Sequence, residues 1–169
     1  MKASSGACVN IVGAGLAGAL LAVLLARRGF AVTLYERRPD PRQASPERGR
    51  SINLALAARG IAALERAGVM AQVWPLTIEM RGRMVHELSG SAALQPYGQR
   101  PNEVIYSVGR ADLNRVLIEE ALRHAGVTVR FSHQACGVDL GRDRLRLREL
   151  ASGAEHEVPL APTIATDGA

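Results

Sequence analysis

Six residues near the amino terminus, Gly13-Ala14-Gly15-Leu16-Ala17-Gly18, constrain this chain more than any others. They follow directly on the apolar run Cys8 to Val12, which is long enough for one buried strand. Beyond them Leu20 to Arg28 reads as a helix. Arg27 and Arg28 suit its negative end, and Gly29 suits the residue that turns the chain out. Ala31 to Tyr35 is a second buried strand that ends at Glu36. Strand, glycine turn, helix and strand make one βαβ unit.

That context gives each glycine a task. Gly13 permits a tight turn, Gly15 lets the backbone approach a pyrophosphate, and Gly18 lets helix and strand pack closely. The helix N-terminus offers partial positive charge to phosphates, and Leu16 and Ala17 stand with the glycines as cofactor-binding candidates. The pattern extends to Ala22, Gly29 and Val32, and Glu36 lies 18 residues beyond Gly18. That is close to the spacing of about 20 expected for a ribose-binding acid. A carboxylate there accepts hydrogen bonds from ribose hydroxyls and repels a 2′-phosphate. NADP is disfavoured at this site, and FAD or NAD remain.

The 169 residues suffice for one domain with a sizeable core. Apolar residues make up 47% and aromatics only 4%, so Ala, Leu, Val and Ile must fill that core, as in α/β layers. The net charge of +5 comes from arginine, since Lys2 is the sole lysine. The arginines are scattered and no helix carries a one-sided basic stripe, so nucleic acid is not the expected partner. An anionic cofactor and a carboxylate substrate account for some of them, and surface solvation for the rest. Cys8 and Cys136 read as small buried hydrophobes in a reducing compartment. His86, His124, His133 and His156 show no metal-ligand spacing, and no metal is expected. The apolar run from Ile11 to Ala26 is too short to span a membrane and carries glycines at its start. The expected compartment is the cytoplasm.

Farther along, residues 37–50 are rich in Pro, Arg and Ser and read as an exposed loop. Ala57 to Ala67 reads as a helix stopped by Gly68, and Leu76 to Leu88 as strand interrupted by Gly82. Ser89 to Asn102 reads as turns and Val104 to Val108 as a short strand. Ala111 to His124 is a second convincing helix, with Leu113, Val116, Leu117, Ala121 and Leu122 on one face. Val127 to Phe131 returns as a strand. Residues 134–140, 144–150 and 155–160 form an antiparallel meander, its middle strand alternating arginine with leucine as a solvent-facing sheet does. Thr163 to Thr166 is a last strand, leading into Asp167-Gly168. A strand that ends in a turn with nothing after it implies that the natural polypeptide continues.

The β-rich excursion after the βαβ unit favours FAD, because an NAD dehydrogenase usually goes on alternating strands and helices. The ending Ala165-Thr166-Asp167-Gly168 resembles the second flavin motif of aromatic hydroxylases. Several stretches are more specific. Glu36-Arg37-Arg38-Pro39-Asp40, Gly49-Arg50-Ser51-Ile52-Asn53-Leu54-Ala55-Leu56 and Arg81-Gly82-Arg83-Met84-Val85-His86 closely resemble the kynurenine 3-monooxygenase family of FAD-dependent aromatic hydroxylases. So do Gln95-Pro96-Tyr97-Gly98 and Gly109-Arg110-Ala111-Asp112-Leu113-Asn114. The likeness runs from about residue 8 to the end.

The resemblance implies hydroxylation of L-kynurenine beside its ring amino group, with FAD as cofactor, NADPH as co-substrate and molecular oxygen as oxidant. In such enzymes oxygen adds to reduced flavin at C4a, and the hydroperoxide transfers one oxygen atom. Carried over residue by residue, Arg83 and Tyr97 hold the substrate carboxylate. Arg110 opens a helix beside the flavin, and Ala55 approaches the flavin with its backbone. Ala135 or Cys136 lines the adenine pocket, and Asp167 links the flavin pyrophosphate to the NADPH route. Arg37 and Arg38 either flank the adenosine half or are solvated loop arginines.

The implied fold is α/β, a Rossmann-like FAD-binding βαβ domain with an inserted β-rich substrate-side segment, truncated. Residues 1–75 hold the βαβ part, 76–108 begin the substrate-side β segment, and 109–169 return to the FAD-binding domain with the meander. The later motif that grips the flavin ribityl phosphate is absent, and Ala165 stands where relatives often have glycine. Alone, the segment is expected to be inactive. The alternatives are a flavin hydroxylase with another aromatic substrate and a non-catalytic FAD-binding fragment.

Overall fold

A computed structural model describes residues 7–43, 52–100 and 102–168. Gly49, Arg50 and Ser51, together with residues 44–48 of the loop expected before them, lie outside the described residues. In chain order β1 (Cys8–Val12), α1 (Leu16–Ala26) and β2 (Ala31–Glu36) come first. Then follow β3 (Asn53–Leu56), α2 (Ala58–Ala67), α3 (Met70–Val73), β4 (Thr77–Met80), β5 (Gly82–His86), β6 (Ala92–Pro96) and β7 (Ile105–Gly109). After these lie α4 (Arg110–Arg123), β8 (Val127–Phe131), β9 (His133–Asp139), β10 (Arg144–Glu149), β11 (Glu155–Pro159) and β12 (Thr163–Ala165). The chain divides into two compact units, residues 1–48 with 114–169, and residues 49–113.

The first unit is built on a parallel sheet in the order β12-β1-β2-β8. Strands buried on both faces read as continuous apolar runs, and Val9, Ile11, Val32 and Leu34 are accordingly buried. α1 packs on β1 and β2 through Ala19, Ala22 and Val23, all fully buried. It starts at Leu16, four residues before the sequence-based start at Leu20. Glycine disfavours helix interiors, yet Gly18 sits within this one because close packing decides there. The other end comes at Ala26, two residues before the expected Arg28, with Gly29 turning the chain out as expected. Gly29 has φ +85°, and the Phe30 N–H donates back to Leu25 O at 3.2 Å.

The meander β9–β10–β11 is antiparallel, as its alternation predicts. Leu145 and Leu147 of β10 turn inward against Tyr35 at the end of β2, with Val12, Ala135, Val158 and Leu160 around them. Arg146 and Arg148 face out, and Arg148 pairs with Glu155 across the strands. The buried Asn10 ties β1 to the corner before β12, its Nδ2 donating to Leu160 O at 2.8 Å and Pro159 O at 3.1 Å. The two cysteines correct the expectation of burial: both Cys8 and Cys136 are exposed. Cys8 opens a strand, and Cys136 occupies an outward position of alternating β9.

The second unit holds the antiparallel sheet β3-β7-β4 and the separate hairpin β5-β6. The strand expected over Leu76 to Leu88 divides at Arg81 into β4 and β5. The expected helix is α2, ended by Gly68 at φ +77°. Three elements were not legible: β3, the short α3, and β6, which lies within the segment read as turns.

Candidate functional site

The crevice in the first unit begins where β1 ends. Gly13, at φ +96°, turns the chain, and its N–H donates to Tyr35 O at 2.8 Å. Few side chains tolerate that backbone, and space forbids one as well. A Cβ on Gly13 would lie 2.8 Å from Asp167 Cα. The turn leads into Gly15, the N-cap of α1, which has no side chain capping the helix. Leu16, Ala17 and Gly18 open the helix, ahead of its first bond from the Ala19 N–H to Gly15 O at 2.9 Å.

The three glycines differ in what surrounds them. A Cβ on Gly18 would run into Gly13 O and Thr166 Oγ1, so the fold itself requires glycine there. A Cβ on Gly15 would meet nothing within 4 Å. Gly15 is extended at φ −68°, which any residue adopts, so neither strain nor packing explains it. The open space there leaves room for a ligand at the helix N-terminus, which is where the sequence leads one to expect a pyrophosphate.

Glu36, at the tip of β2, turns its carboxylate into this turn. Its Oε2 accepts from the Ala14 N–H at 2.8 Å, and its Oε1 from the Arg38 N–H at 2.9 Å. These bonds fix the carboxylate beside the glycine turn and leave lone pairs on both oxygens. A ribose diol is the complementary group. Arg37 and Arg38 are exposed at this edge.

The opposite wall comes from β12, paired parallel to β1. The Thr166 N–H donates to Val12 O at 2.7 Å, and its hydroxyl lies 2.8 Å from Gly13 O and 3.0 Å from Val12 O. Thr166 thus staples the end of β12 to the glycine turn, and Asp167 follows against Gly13. An open, mostly apolar groove adjoins it, lined by Val12, Ala135, Cys136, Ala165 and Asp167 among others. Ala135 and Asp167, far apart in sequence, share this groove.

The remaining candidates belong to the second unit. Ala55 lies exposed on β3 opposite Ser107. Arg110 is the first residue of α4, exposed, and its N–H donates to Ile52 O at 3.1 Å, beside the start of β3. Arg83 stands opposite Gln95 in the β5–β6 hairpin, its Nε donating to Gln95 Oε1 at 2.7 Å. The Tyr97 N–H continues the pairing by donating to Arg81 O at 3.0 Å. Alternation therefore sets Arg83, Gln95 and Tyr97 on one face of the hairpin. Gln95 and Thr166 are functional candidates that sequence reasoning did not single out. Each lies inside a quoted motif, and only pairing across the strands shows what it does.

No helix among the described residues is long and apolar enough to cross a membrane. Residues 7–169 match the family model described as FAD binding domain. Kynurenine 3-monooxygenase of Stenotrophomonas maltophilia (strain K279a) is 47% identical over 169 residues, covering all of this chain and 37% of that protein. The enzyme of the same name from Xanthomonas campestris pv. campestris (strain 8004) is 46% identical over 167 residues, 99% of this chain and 36% of the relative. The chain thus spans a little over a third of the length of these curated relatives. Among solved structures, the flavin-dependent monooxygenase PieE in complex with FAD and substrate superposes with TM-score 0.79 at 20% identity. It covers 97% of this chain and 30% of that one. The p-nitrophenol 4-monooxygenase PnpA from Pseudomonas putida DLL-E4 gives 0.78 at 20% identity, covering 98% of this chain and 42% of the other. At these identities the two structures speak for the fold alone.

Proposed function

The chain belongs to the FAD-binding domain family, and we propose on that basis that it is the adenosine- and pyrophosphate-binding part of an NADPH-dependent aromatic monooxygenase. The proposed substrate is L-kynurenine, hydroxylated on the ring carbon beside its amino group. Identity of 47% to kynurenine 3-monooxygenase across the whole chain supports that choice. The observation that carries the cofactor reading is Glu36, fixed beside a glycine turn whose Gly15 has open space at its Cβ.

In this reading the N–H groups of Leu16, Ala17 and Gly18 receive the pyrophosphate, and Glu36 receives the ribose hydroxyls. Arg37 and Arg38 flank the adenosine, Ala135 lines the adenine side, and Asp167 stands at the phosphate end. Ala55 and Arg110 serve the flavin side through backbone and guanidinium respectively. Bound FAD supplies the redox chemistry, with electrons from NADPH and one atom from molecular oxygen. Arg83 and Tyr97 anchor the kynurenine carboxylate from one face of the hairpin, the arginine by charge-assisted hydrogen bonds. That grip orients the ring and adds no chemistry of its own. The cytoplasm is the proposed compartment.

The test is NADPH oxidation by the full-length protein with kynurenine and with close aromatic analogues. Kynurenine is expected to stimulate oxidation and to yield the 3-hydroxy product. Stimulation by an analogue but not by kynurenine would overturn the substrate assignment and leave the cofactor site standing.

A further inference from the structure

Beyond Glu36 the chain makes a short loop that is held more firmly than its composition suggests. Asp40 is buried although it is charged. Its Oδ1 accepts from Arg42 N–H at 3.0 Å and Arg42 Nε at 2.9 Å, and its Oδ2 from Arg42 Nη2 at 2.6 Å. The Arg42 guanidinium in turn lies 5.9 Å from the centre of the Phe131 ring. Phe131 ends β8 and stands in register opposite Glu36. The loop is fastened a second time where the Ser132 N–H donates to Arg38 O at 3.0 Å. The residue so fixed by its carbonyl also supplies, through the preceding peptide, the Arg38 N–H that binds Glu36 Oε1.

We propose that Asp40 and Arg42 form a positioning brace for the Glu36 carboxylate, fixing which of its lone pairs face the ribose. The proposal rests on the reading of Glu36 as the ribose-binding acid. Neither residue touches the ligand. A carboxylate on a strand tip can rotate, and the Arg38 N–H limits that rotation only while its loop stays folded against β8. The Asp40–Arg42 fork, closed over Phe131, holds it there. A bidentate guanidinium pair with an aromatic beneath it resists reorientation better than a single contact does. The loop therefore serves affinity for the cofactor by preorganisation.

The experiment is a fluorescence titration of FAD into the apo-protein, with Asp40→Asn, Arg42→Gln, Glu36→Gln and the Asp40→Asn/Glu36→Gln double variant. Circular dichroism accompanies each variant, and Arg42→Gln keeps the test open should Asp40→Asn fail to fold. Each brace variant is expected to weaken FAD binding about 5- to 10-fold, the scale of one ordinary hydrogen bond. The double variant is expected to bind no more weakly than Glu36→Gln alone, because the brace acts through Glu36. Additive losses would mean a merely structural role and overturn the proposal. Unchanged affinity in Asp40→Asn and Arg42→Gln, with a loss in Glu36→Gln, would remove the brace and spare the ribose site. Unchanged affinity in Glu36→Gln would remove both.

Discussion

A carboxylate offers about four lone-pair positions, and in Glu36 two are taken by the Ala14 and Arg38 N–H groups. What is left is enough for a ribose diol and would repel a 2′-phosphate, so in the proposed function one side chain both holds and selects. Gly15 and Gly18 make a matched pair of tests. Gly15→Ala enters open space, so its thermal midpoint should stay within a degree or two of the parent while FAD affinity falls at least about tenfold. Gly18→Ala meets Gly13 O and Thr166 Oγ1 and should destabilise the protein by about 1–3 kcal/mol in urea unfolding. Equal behaviour of the two variants would contradict the division between ligand space and packing. Asp40 adds a pH dependence. The Arg42 side chain's hydrogen bonds hold its carboxyl below the ordinary carboxylate range, with desolvation opposing them. A lowered folded-state value means the stabilisation is complete above the unfolded value and is lost as the pH falls through the lowered one. Arg42 is 39% exposed, which keeps the amount to about 1 kcal/mol or less. Urea midpoints followed from neutral pH into acid should fall less steeply for Asp40→Asn than for the parent.

At the level of elements, the site stands on the ends of three parallel strands and one helix start. β1 supplies the turn, β2 the acid, β12 the opposing wall, and α1 the N–H groups. Thr166 joins two of them. Replacing its hydroxyl by a methyl, Thr166→Val, should cost about 1 kcal/mol of unfolding free energy, since one hydroxyl hydrogen serves two nearby carbonyl oxygens. Leu147 is fully buried beneath the meander, and Leu147→Ala should cost about 2–5 kcal/mol by the same measurement. Legibility in the sequence follows from what shapes each element. β1, β2, β8 and the meander were readable because burial imposes an apolar run or a strict alternation. β6 was not, because every residue of Ala92–Pro96 is exposed and only backbone pairing makes it a strand. β3 carries Asn, two Leu and Ala, a composition without strand bias. The start of α1 lies earlier than the apolar run suggests because packing against Gly13 and Thr166 selects glycine inside its first turn. The brace of Asp40 and Arg42 lies two residues apart in a loop that sequence reading counted as exposed, and only the fold brings Phe131 under it.

For the whole molecule, the family match spans residues 7–169, and the chain covers 37% of the length of its 47%-identical relative. The proposed activity is that of the relatives' full length, and the residues described above are proposed to hold the cofactor's adenosine half. The two can be separated by experiment. In the full-length protein, Arg83→Lys should raise the Michaelis constant for kynurenine by about tenfold or more while the bound flavin content stays unchanged, because a lysine cannot make the bidentate grip. The central claim is that the crevice of Gly13 to Gly18 and Glu36 is where that adenosine half sits. A crystal structure of the FAD complex measures this most directly. The account predicts ribose hydroxyls within about 3 Å of the Glu36 carboxylate and pyrophosphate oxygens at the N–H groups that open α1. Adenosine bound elsewhere, with Glu36 still bonded only to Ala14 and Arg38, would contradict it.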